Sequence, residues 1–217
     1  MLERSPTGYE TLRGGLYAIT PGGIRDDAAL IRRVEAALQG GAAMLQYRDK
    51  TAGTDTRERR ARALQALCRA HETPLIVNDD VGLAARAGAA GVHLGREDAQ
   101  VSRARAVLGD DAVIGVSAYN DFPRARRLRA AGADYIAFGS FFPSPTKPGA
   151  VRCDPSRLSE ARALDCPLVA IGGITVENGA ALVAAGADFL AVIAALFDAP
   201  DVRQRAREFQ QLFGDRQ

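Results

Sequence analysis

The stretch AGADYIAF at residues 131–138 recurs as AGADFLAV at residues 185–192. Two further segments follow the same plan, in which a glycine and small residues lead into an apolar run: GGAAMLQY (40–47) and AGAAGVHL (87–94). The glycines that anchor the four copies are 47, 44 and 54 residues apart: Gly41, Gly88, Gly132 and Gly186. Glycine supplies the left-handed residue that ends many helices, so each copy predicts a helix end followed by a buried strand.

A second set of apolar runs lies between these copies: GLYAIT (15–20), PLIVND (74–79), AVIGVS (112–117) and PLVAIGG (167–173). Continuously apolar strands indicate a parallel sheet that is buried on both faces. Eight such runs alternate with helical segments, which predicts an α/β fold, a (β/α)8 TIM barrel in a single domain. A doubly wound sheet is the alternative, but no GxGxxG motif follows the first run. Residues 1–13 are predicted to form an N-terminal tail and residues 14–217 the catalytic barrel.

The composition argues against several classes of partner. A net charge of +2, from 28 basic and 26 acidic residues, and the absence of Trp do not favour nucleic-acid binding. The absence of a long apolar run predicts no membrane span, and the N-terminus does not resemble a signal peptide. Three cysteines without metal-site spacing, Cys68, Cys153 and Cys166, indicate reduced thiols and a cytoplasmic protein. The arginines of the predicted helix at 55–71 are interpreted as a solvated face, and a homo-oligomer is left open.

Polar side chains follow the predicted strands at one end. Gln46, Arg48 and Lys50 alternate along the second strand and its extension, so they share one face. The other strand ends carry Asn78 and Asp79, Asp98, Ser117, the segment PSPTKPG (143–149), and Gly172 and Gly173. Catalytic groups of TIM barrels lie at the carboxyl ends of the strands, so these residues are predicted to form the site.

Some of these residues also have a structural interpretation. Asp80 is predicted to cap the helix after the third strand, and Asp98 fits a cap of the next helix as well as it fits a functional role. His93 lies within an apolar run and is interpreted as a neutral, hydrogen-bonded core histidine. The prolines of 143–149 stiffen a loop that carries two hydroxyls and an ammonium group, which favours function over a simple turn.

The predicted set combines cations with carboxylates, and no Ser-His-Asp or zinc-type cluster is evident. Carboxylates beside a phosphate repel it unless a hard cation lies between them, and Mg²⁺ favours one or two carboxylates plus phosphate oxygens. Basic side chains can then neutralise the charge that develops on a leaving pyrophosphate. The residues therefore predict Mg²⁺-dependent chemistry on a diphosphate, with a second phosphorylated substrate held at the glycines after the seventh strand.

The motifs QYRDK, LIVNDD, GVHLG-x-x-D, IGVS, FPSPTKPG and AIGGIT occur in the order found in thiamine-phosphate synthases, and the chain resembles that family from about Gly15 to Phe197. The resemblance implies a TIM barrel and a transferase. It would join 4-amino-2-methyl-5-hydroxymethylpyrimidine diphosphate to 4-methyl-5-(2-phosphoethyl)thiazole, giving thiamine phosphate and pyrophosphate. Pyrophosphate would leave first, and the thiazole nitrogen would capture the resulting carbocation.

The resemblance also implies a role for each matching residue. Contacts to the pyrimidine diphosphate would come from Gln46, Arg48, Lys50, Asn78, Ser117 and Lys147, of which Arg48, Ser117 and Lys147 would be catalytic. The thiazole phosphate would contact Ser144, Thr146, Gly173, Ile193 and Ala194. Asp79 and Asp98 would hold Mg²⁺. Two positions depart from the family: Ser144 replaces the usual Thr and keeps the hydroxyl, whereas Ala194 replaces the usual Ser and loses it.

Two rival functions share this fold. A thiazole tautomerase is a close relative that makes no thiamine phosphate and has no use for a complete diphosphate and Mg²⁺ set. A phosphate-binding regulatory barrel without turnover needs no group that assists ionisation. The joint presence of Asp79, Asp98 and Lys147 favours the synthase over both.

Overall fold

The computed structural model describes residues 12, 14–95, 100–143 and 151–214. Eight parallel strands form a closed barrel in chain order, in which the last strand pairs with the first. The strands are β1 (Gly15–Ile19), β2 (Met44–Tyr47), β3 (Leu75–Asn78), β4 (Gly91–Leu94), β5 (Val113–Tyr119), β6 (Tyr135–Phe138), β7 (Leu168–Ile171) and β8 (Phe189–Val192). Each strand begins within the run that predicted it, so the barrel is confirmed and the doubly wound alternative is excluded.

Helices follow the strands and cover the outside of the barrel. They are α1 (Asp27–Gln39), α2 (Thr54–Ala70), α3 (Val81–Ala87), α4 (Gln100–Leu108), α5 (Phe122–Ala130), α6 (Ser156–Ala161), α7 (Val176–Ala184), α8 (Ala194–Phe197) and α9 (Val202–Gln211), with a 3₁₀ turn at Arg162–Leu164. Aspartates cap the start of α1, α3, α5 and α9, because their carboxylates accept backbone N–H groups that lack a helical partner. Among the described helices, none has the length and apolar character that crossing a membrane requires.

The anchor glycines of the repeat adopt the predicted conformation. Gly41, Gly88, Gly132 and Gly186 have φ angles of 93°, 65°, 99° and 111°, in the region that side chains disfavour. Each of these four reversals from helix to strand therefore depends on a residue without Cβ. This explains why the sequence repeat is also the structural repeat.

Strand residues alternate between two apolar layers. One layer fills the barrel interior and includes Tyr17, Met44, Ile76, Tyr135 and Phe189. The other lies between the sheet and the helices and includes Leu16, Leu45 and Val77. The alternation directs every second residue of a strand inward. Near the carboxyl end the inward residues become polar in β2 to β5, whereas they stay apolar in β1 and in β6 to β8.

Candidate active site

A cavity of about 900 Å³ opens at the carboxyl ends of the strands. Every described residue that the sequence assigned to a substrate or to Mg²⁺ lines it: Gln46, Arg48, Lys50, Asn78, Asp79, Ser117, Gly173, Ile193 and Ala194. Asp98, Ser144, Thr146 and Lys147 lie outside the described residues, so their roles stay predictions. A second cleft, of about 400 Å³, lies elsewhere, among Gly40, Arg207, Gln210, Gln211 and Gly214, and offers one charged side chain.

The loop after β2 carries cations to the cavity and is fixed from behind. Asp49, between Arg48 and Lys50, accepts hydrogen bonds from the backbone N–H groups of Thr51 and Ala52, each at 3.0 Å. Its other carboxylate oxygen accepts a bond of 2.7 Å from Arg60 of α2, and both side chains are 5% exposed. Burial alone would raise the pKa of Asp49, but these hydrogen bonds outweigh it and hold the pKa below its ordinary value.

Arg60 corrects one interpretation of the sequence. The arginines of α2 were expected to face solvent, and this is wrong for Arg60, which also donates to Asp27 at 2.7 Å. Arg62, two residues later, is 58% exposed and pairs with Glu58, as expected of a solvated face. Sequence periodicity could have distinguished the two arginines, because Arg60 lies beside the buried Ala61 and four residues before the buried Leu64.

The end of β3 presents one carboxylate to the cavity and uses the next as a cap. Asp79 has a φ of 63°, and its carboxylate accepts a bond of 2.7 Å from the Asn78 side chain and lies 3.3 Å from the Lys50 ammonium group. Asp80 accepts a bond of 2.8 Å from the backbone N–H of Leu83, which confirms the predicted cap. The left-handed turn at Asp79 therefore separates a cavity carboxylate from a structural one.

The Asp79 carboxylate fits a magnesium site in which the protein supplies few ligands and the substrate supplies phosphate oxygens. Among the described residues, no group of three or more His, Cys, Asp or Glu side chains could hold a metal ion. Asp79 is the one carboxylate among the described residues that line the cavity. Mg²⁺ is commonly bound by one or two carboxylates together with substrate phosphates and water, so a single wall carboxylate beside a phosphate site is compatible with it.

A hydrogen-bond relay of five side chains crosses the barrel interior beneath the cavity. The Gln46 amide nitrogen donates to the Tyr17 hydroxyl at 2.7 Å, and this hydroxyl lies 2.8 Å from that of Tyr135. The Tyr135 hydroxyl lies 2.9 Å from Nδ1 of His93, whose Nε2 lies 2.9 Å from the Ser117 hydroxyl. His93 is buried and bonded through both ring nitrogens, as predicted, and it also lines the cavity.

The two tyrosines of the relay were not predicted from the sequence. Burial raises the pKa of Tyr17 and of Tyr135 well above the ordinary value of 10.0, so both keep their protons. Their rings pack edge to face with centroids 6.0 Å apart. The Tyr135 ring occupies the space beside Gly115 of β5, where a Cβ atom would overlap it.

The loop after β7 provides a backbone surface. Gly172 and Gly173 have φ angles of 106° and 65°, and a Cβ at Gly173 would come within 2.8 Å of Phe142. The Asn178 side chain accepts a bond of 2.9 Å from the Thr175 N–H and donates one of 3.0 Å to the Gly173 carbonyl. The sequence did not single out Asn178, which holds this loop in a shape that leaves the Gly173 backbone at the cavity.

The strand order places the residues that follow β3 and those that follow β7 on different sides of the cavity. In a closed barrel of eight strands, β3 and β7 are four positions apart and lie on opposite walls. Asn78 and Asp79 therefore lie across the cavity from Gly172 and Gly173. The cations after β2 are on the side of Asp79, next to β3, so the cavity has a charged wall and a facing backbone wall.

The sequence of the chain matches a known protein family. A family described as thiamine monophosphate synthase matches residues 16–196. The chain belongs to this family. Thiamine-phosphate synthesis is thus its activity, and it is an enzyme of the transferase class.

Individual relatives support the same assignment. The thiamine-phosphate synthase of Thiobacillus denitrificans is 54% identical over 204 residues, covering 94% of this chain and 96% of the relative. That of Thioalkalivibrio sulfidiphilus is 52% identical over 205 residues, covering 94% and 97%. The solved thiamine phosphate pyrophosphorylase of Pyrococcus furiosus superposes with a TM-score of 0.83 at 31% identity, covering 95% of this chain and 98% of that one. The first two relatives carry the synthase name, which favours synthesis over the tautomerase alternative.

Proposed function

We propose that this thiamine-phosphate synthase joins 4-amino-2-methyl-5-hydroxymethylpyrimidine diphosphate to 4-methyl-5-(2-phosphoethyl)thiazole, with Mg²⁺ as its cofactor. The observation that carries the proposal is the cavity itself. Arg48, Lys50 and Asp79 meet on one wall, and the glycine loop of Gly173 faces them. Two phosphorylated substrates brought together in one reaction need two such places.

The charged wall suits the diphosphate. Arg48 and Lys50 supply positive charge at the cavity surface, and the Asn78 amide and the Ser117 hydroxyl add neutral donors. Gln46 lies deeper, since it is 3% exposed and follows Met44 in the inward layer. We therefore assign the diphosphate to Arg48, Lys50 and Asn78, and the pyrimidine ring to the interior beside Gln46 and Ser117.

The backbone wall suits the single phosphate of the thiazole. Gly173 exposes its main chain, and Ile193 and Ala194 border the same part of the cavity at the start of α8. Ser144 and Thr146 of the segment after β6 are proposed to add hydroxyl donors. Because Ala194 has no hydroxyl, any hydrogen bond that it gives this phosphate comes from its backbone N–H.

Magnesium would be held by Asp79 together with Asp98. When bound, it supplies positive charge that offsets the repulsion between carboxylates and diphosphate and stabilises pyrophosphate as a leaving group. In the structure the Lys50 ammonium group lies 3.3 Å from the Asp79 carboxylate, which therefore already has a positive charge beside it. Lys50 is 59% exposed and can turn toward a diphosphate when the substrate binds.

The proposed chemistry combines what the described wall offers with the predicted role of Lys147. The bond between the pyrimidine methylene carbon and the diphosphate oxygen breaks, and its electron pair leaves with pyrophosphate, whose charge Arg48 and Lys147 neutralise. The positive charge left on the pyrimidine is captured by the lone pair of the thiazole nitrogen, which forms the carbon–nitrogen bond. No protein nucleophile is required. Apolar side chains such as Val169, Ile171 and Ala191 line the cavity and limit the access of water, which would otherwise capture the cation.

A product assay tests the proposal. Purified protein is mixed with both substrates and Mg²⁺, and pyrophosphate and thiamine phosphate are quantified over time. We expect equal amounts of the two products, with loss of both when Mg²⁺ is chelated or when Arg48 is changed to Met. The Arg62→Met variant is the matched control and should keep its rate. Absence of thiamine phosphate under these conditions would overturn the proposal and favour a tautomerase or a regulatory barrel.

We also propose a cytoplasmic location. Cys68, Cys153 and Cys166 are free thiols, and the first two are buried. Reduced cysteines are typical of the cytoplasm, where thiol buffers keep them from pairing. Cell fractionation with an antibody to the chain tests this location, and recovery of the chain in the membrane or the exported fraction would contradict it.

A further inference from the structure

The chemistry of the five side chains in the hydrogen-bond relay restricts which of them donate and which accept. An amide nitrogen can only donate, a phenol has one hydrogen, and a neutral imidazole has one donor and one acceptor nitrogen. Because the Gln46 nitrogen donates to Tyr17 at 2.7 Å, the Tyr17 oxygen is an acceptor there. The remaining members, Tyr135, His93 and Ser117, can then share their hydrogens in two orders.

The two orders differ in where the spare hydrogen ends. In the first, Tyr17 donates to Tyr135, Tyr135 to Nδ1 of His93, and Nε2–H of His93 to Ser117, whose own hydrogen is left for the cavity. In the second, Nδ1–H of His93 donates to Tyr135 and Ser117 donates to Nε2, so the spare hydrogen stays on Tyr17 or on Tyr135, which are 1% and 0% exposed. A buried hydroxyl hydrogen without an acceptor is costly, whereas Ser117 is partly exposed on the cavity wall. The first order is therefore favoured.

We propose that Tyr17, Tyr135 and His93 are positioning residues that fix the Nε2–H tautomer of His93 and so keep the Ser117 hydroxyl as a hydrogen-bond donor to the substrate. The acceptor would be an atom of the pyrimidine diphosphate, and only this choice of ligand rests on the proposed function. The positions support a built arrangement, since Gly115 leaves the space that the Tyr135 ring fills and His93 stacks on that ring at 5.6 Å.

The high pKa of the tyrosines agrees with this role. Burial keeps both phenols protonated, so each passes on one hydrogen and neither becomes an acceptor only. A ring without the hydroxyl at position 135 would leave Nδ1 of His93 without its donor. Either tautomer could then form, and Ser117 would serve as donor in one and spend its hydrogen on His93 in the other.

Nitrogen NMR of the imidazole rings tests the tautomer without any substrate. The chain has two histidines, His71 and His93, so a His71→Gln variant assigns the signals. We expect the proton of His93 on Nε2 in the unaltered protein and a mixture of tautomers in Tyr135→Phe. A proton on Nδ1 in the unaltered protein would overturn the proposal, and this result does not depend on whether the protein makes thiamine phosphate.

Kinetics of a double-mutant cycle test the link to Ser117. Tyr135→Phe and Ser117→Ala should each lower kcat/KM for the pyrimidine diphosphate by about tenfold and leave KM for the thiazole phosphate unchanged. The double variant should be no slower than Ser117→Ala, because the relay acts through that hydroxyl. Losses that multiply in the double variant would overturn the proposal. Tyr47→Phe is the matched control, since Tyr47 is buried in the outer layer of β2, and it should keep its activity.

Discussion

Arg60 of α2 and Asp49 of the loop after β2 form a buried ion pair, with Nη1 and Oδ2 2.7 Å apart and both side chains 5% exposed. The pair lies behind the cavity wall, whereas Arg48 and Lys50 lie on it. A buried ion pair outside the cavity thus fixes the loop that brings Arg48 and Lys50 to the cavity wall. This relationship explains why an acidic residue stands between two basic ones in the segment QYRDK.

Loss of Arg60 is expected to affect both stability and activity. Arg60→Met leaves Asp49 buried without its partner, so the free energy of unfolding should fall by about 3 kcal/mol. The loop would lose its fixed position, and turnover should fall by about tenfold, because misplaced charges neutralise a leaving group poorly. Chemical denaturation and the product assay measure the two effects. Arg62→Met, on the same helix but in an exposed pair, should cost less than about 1 kcal/mol; equal losses in the two variants would contradict this account.

Asp49 is expected to make the folded protein less stable as the pH falls. Its pKa is lowered in the folded protein from an ordinary value of 3.8, so folding favours the ionised form. That stabilisation is present at pH values above 3.8 and is lost as the pH falls through the lower, folded pKa. Urea denaturation between pH 6 and pH 3 should therefore show a shallower loss of stability for Asp49→Asn than for the unaltered protein. Parallel curves would rule out this contribution.

Asp79→Asn is expected to weaken magnesium dependence specifically. Asn tolerates a φ of 63° well, so the backbone turn should persist. With the carboxylate replaced by an amide, half-saturation by Mg²⁺ should rise and turnover should fall, each by about tenfold, or about 1.4 kcal/mol. Asp80→Asn is a matched neighbour, because Asn also caps helices, and it should leave the Mg²⁺ response unchanged. Unchanged activity of Asp79→Asn at limiting Mg²⁺ would remove Asp79 from the metal site.

Gly173→Ala separates backbone strain from the loss of a binding surface. Gly173 and Gly88 both have a φ of 65°, but a Cβ at Gly88 meets no atom within 4 Å, whereas one at Gly173 would crowd Phe142. Gly88→Ala should lose roughly 1 kcal/mol of stability to the left-handed conformation. Gly173→Ala should lose more, because its Cβ would also overlap the Pro143 carbonyl oxygen and Phe142. Gly173→Ala should also raise KM for the thiazole phosphate by about tenfold. If Gly88→Ala raised that KM equally, the effect would be general strain and not local binding.

The sequence predicted the barrel and the charged wall because both depend on local patterns. The repeat of glycine and apolar run fixed the helix-to-strand reversals, and alternation placed Gln46, Arg48 and Lys50 on one face. The left-handed turn at Asp79 was not foreseen, although the assignment of Asp80 as the cap already separated the two carboxylates.

The rest depends on contacts that only the closed barrel creates. Tyr17 and Tyr135 are 118 residues apart and lie in apolar runs, where a tyrosine is indistinguishable from a core aromatic. Helical periodicity places Arg60 on the buried face of α2, but its partner Asp27 is 33 residues away, so no local pattern identifies the charge that it meets there. The chain has only two lysines, Lys50 and Lys147, against 26 arginines, and both are assigned to the site. The rarity of lysine in the sequence is therefore a further indication that these two positions are functional.

Calorimetric titration with inorganic pyrophosphate tests the central claim that basic side chains and a carboxylate-bound cation hold the leaving group. The account predicts tight binding in the presence of Mg²⁺, much weaker binding after chelation, and loss of binding in Arg48→Met but not in Arg62→Met. Equal affinity for pyrophosphate with and without Mg²⁺, or unchanged binding by Arg48→Met, would contradict it.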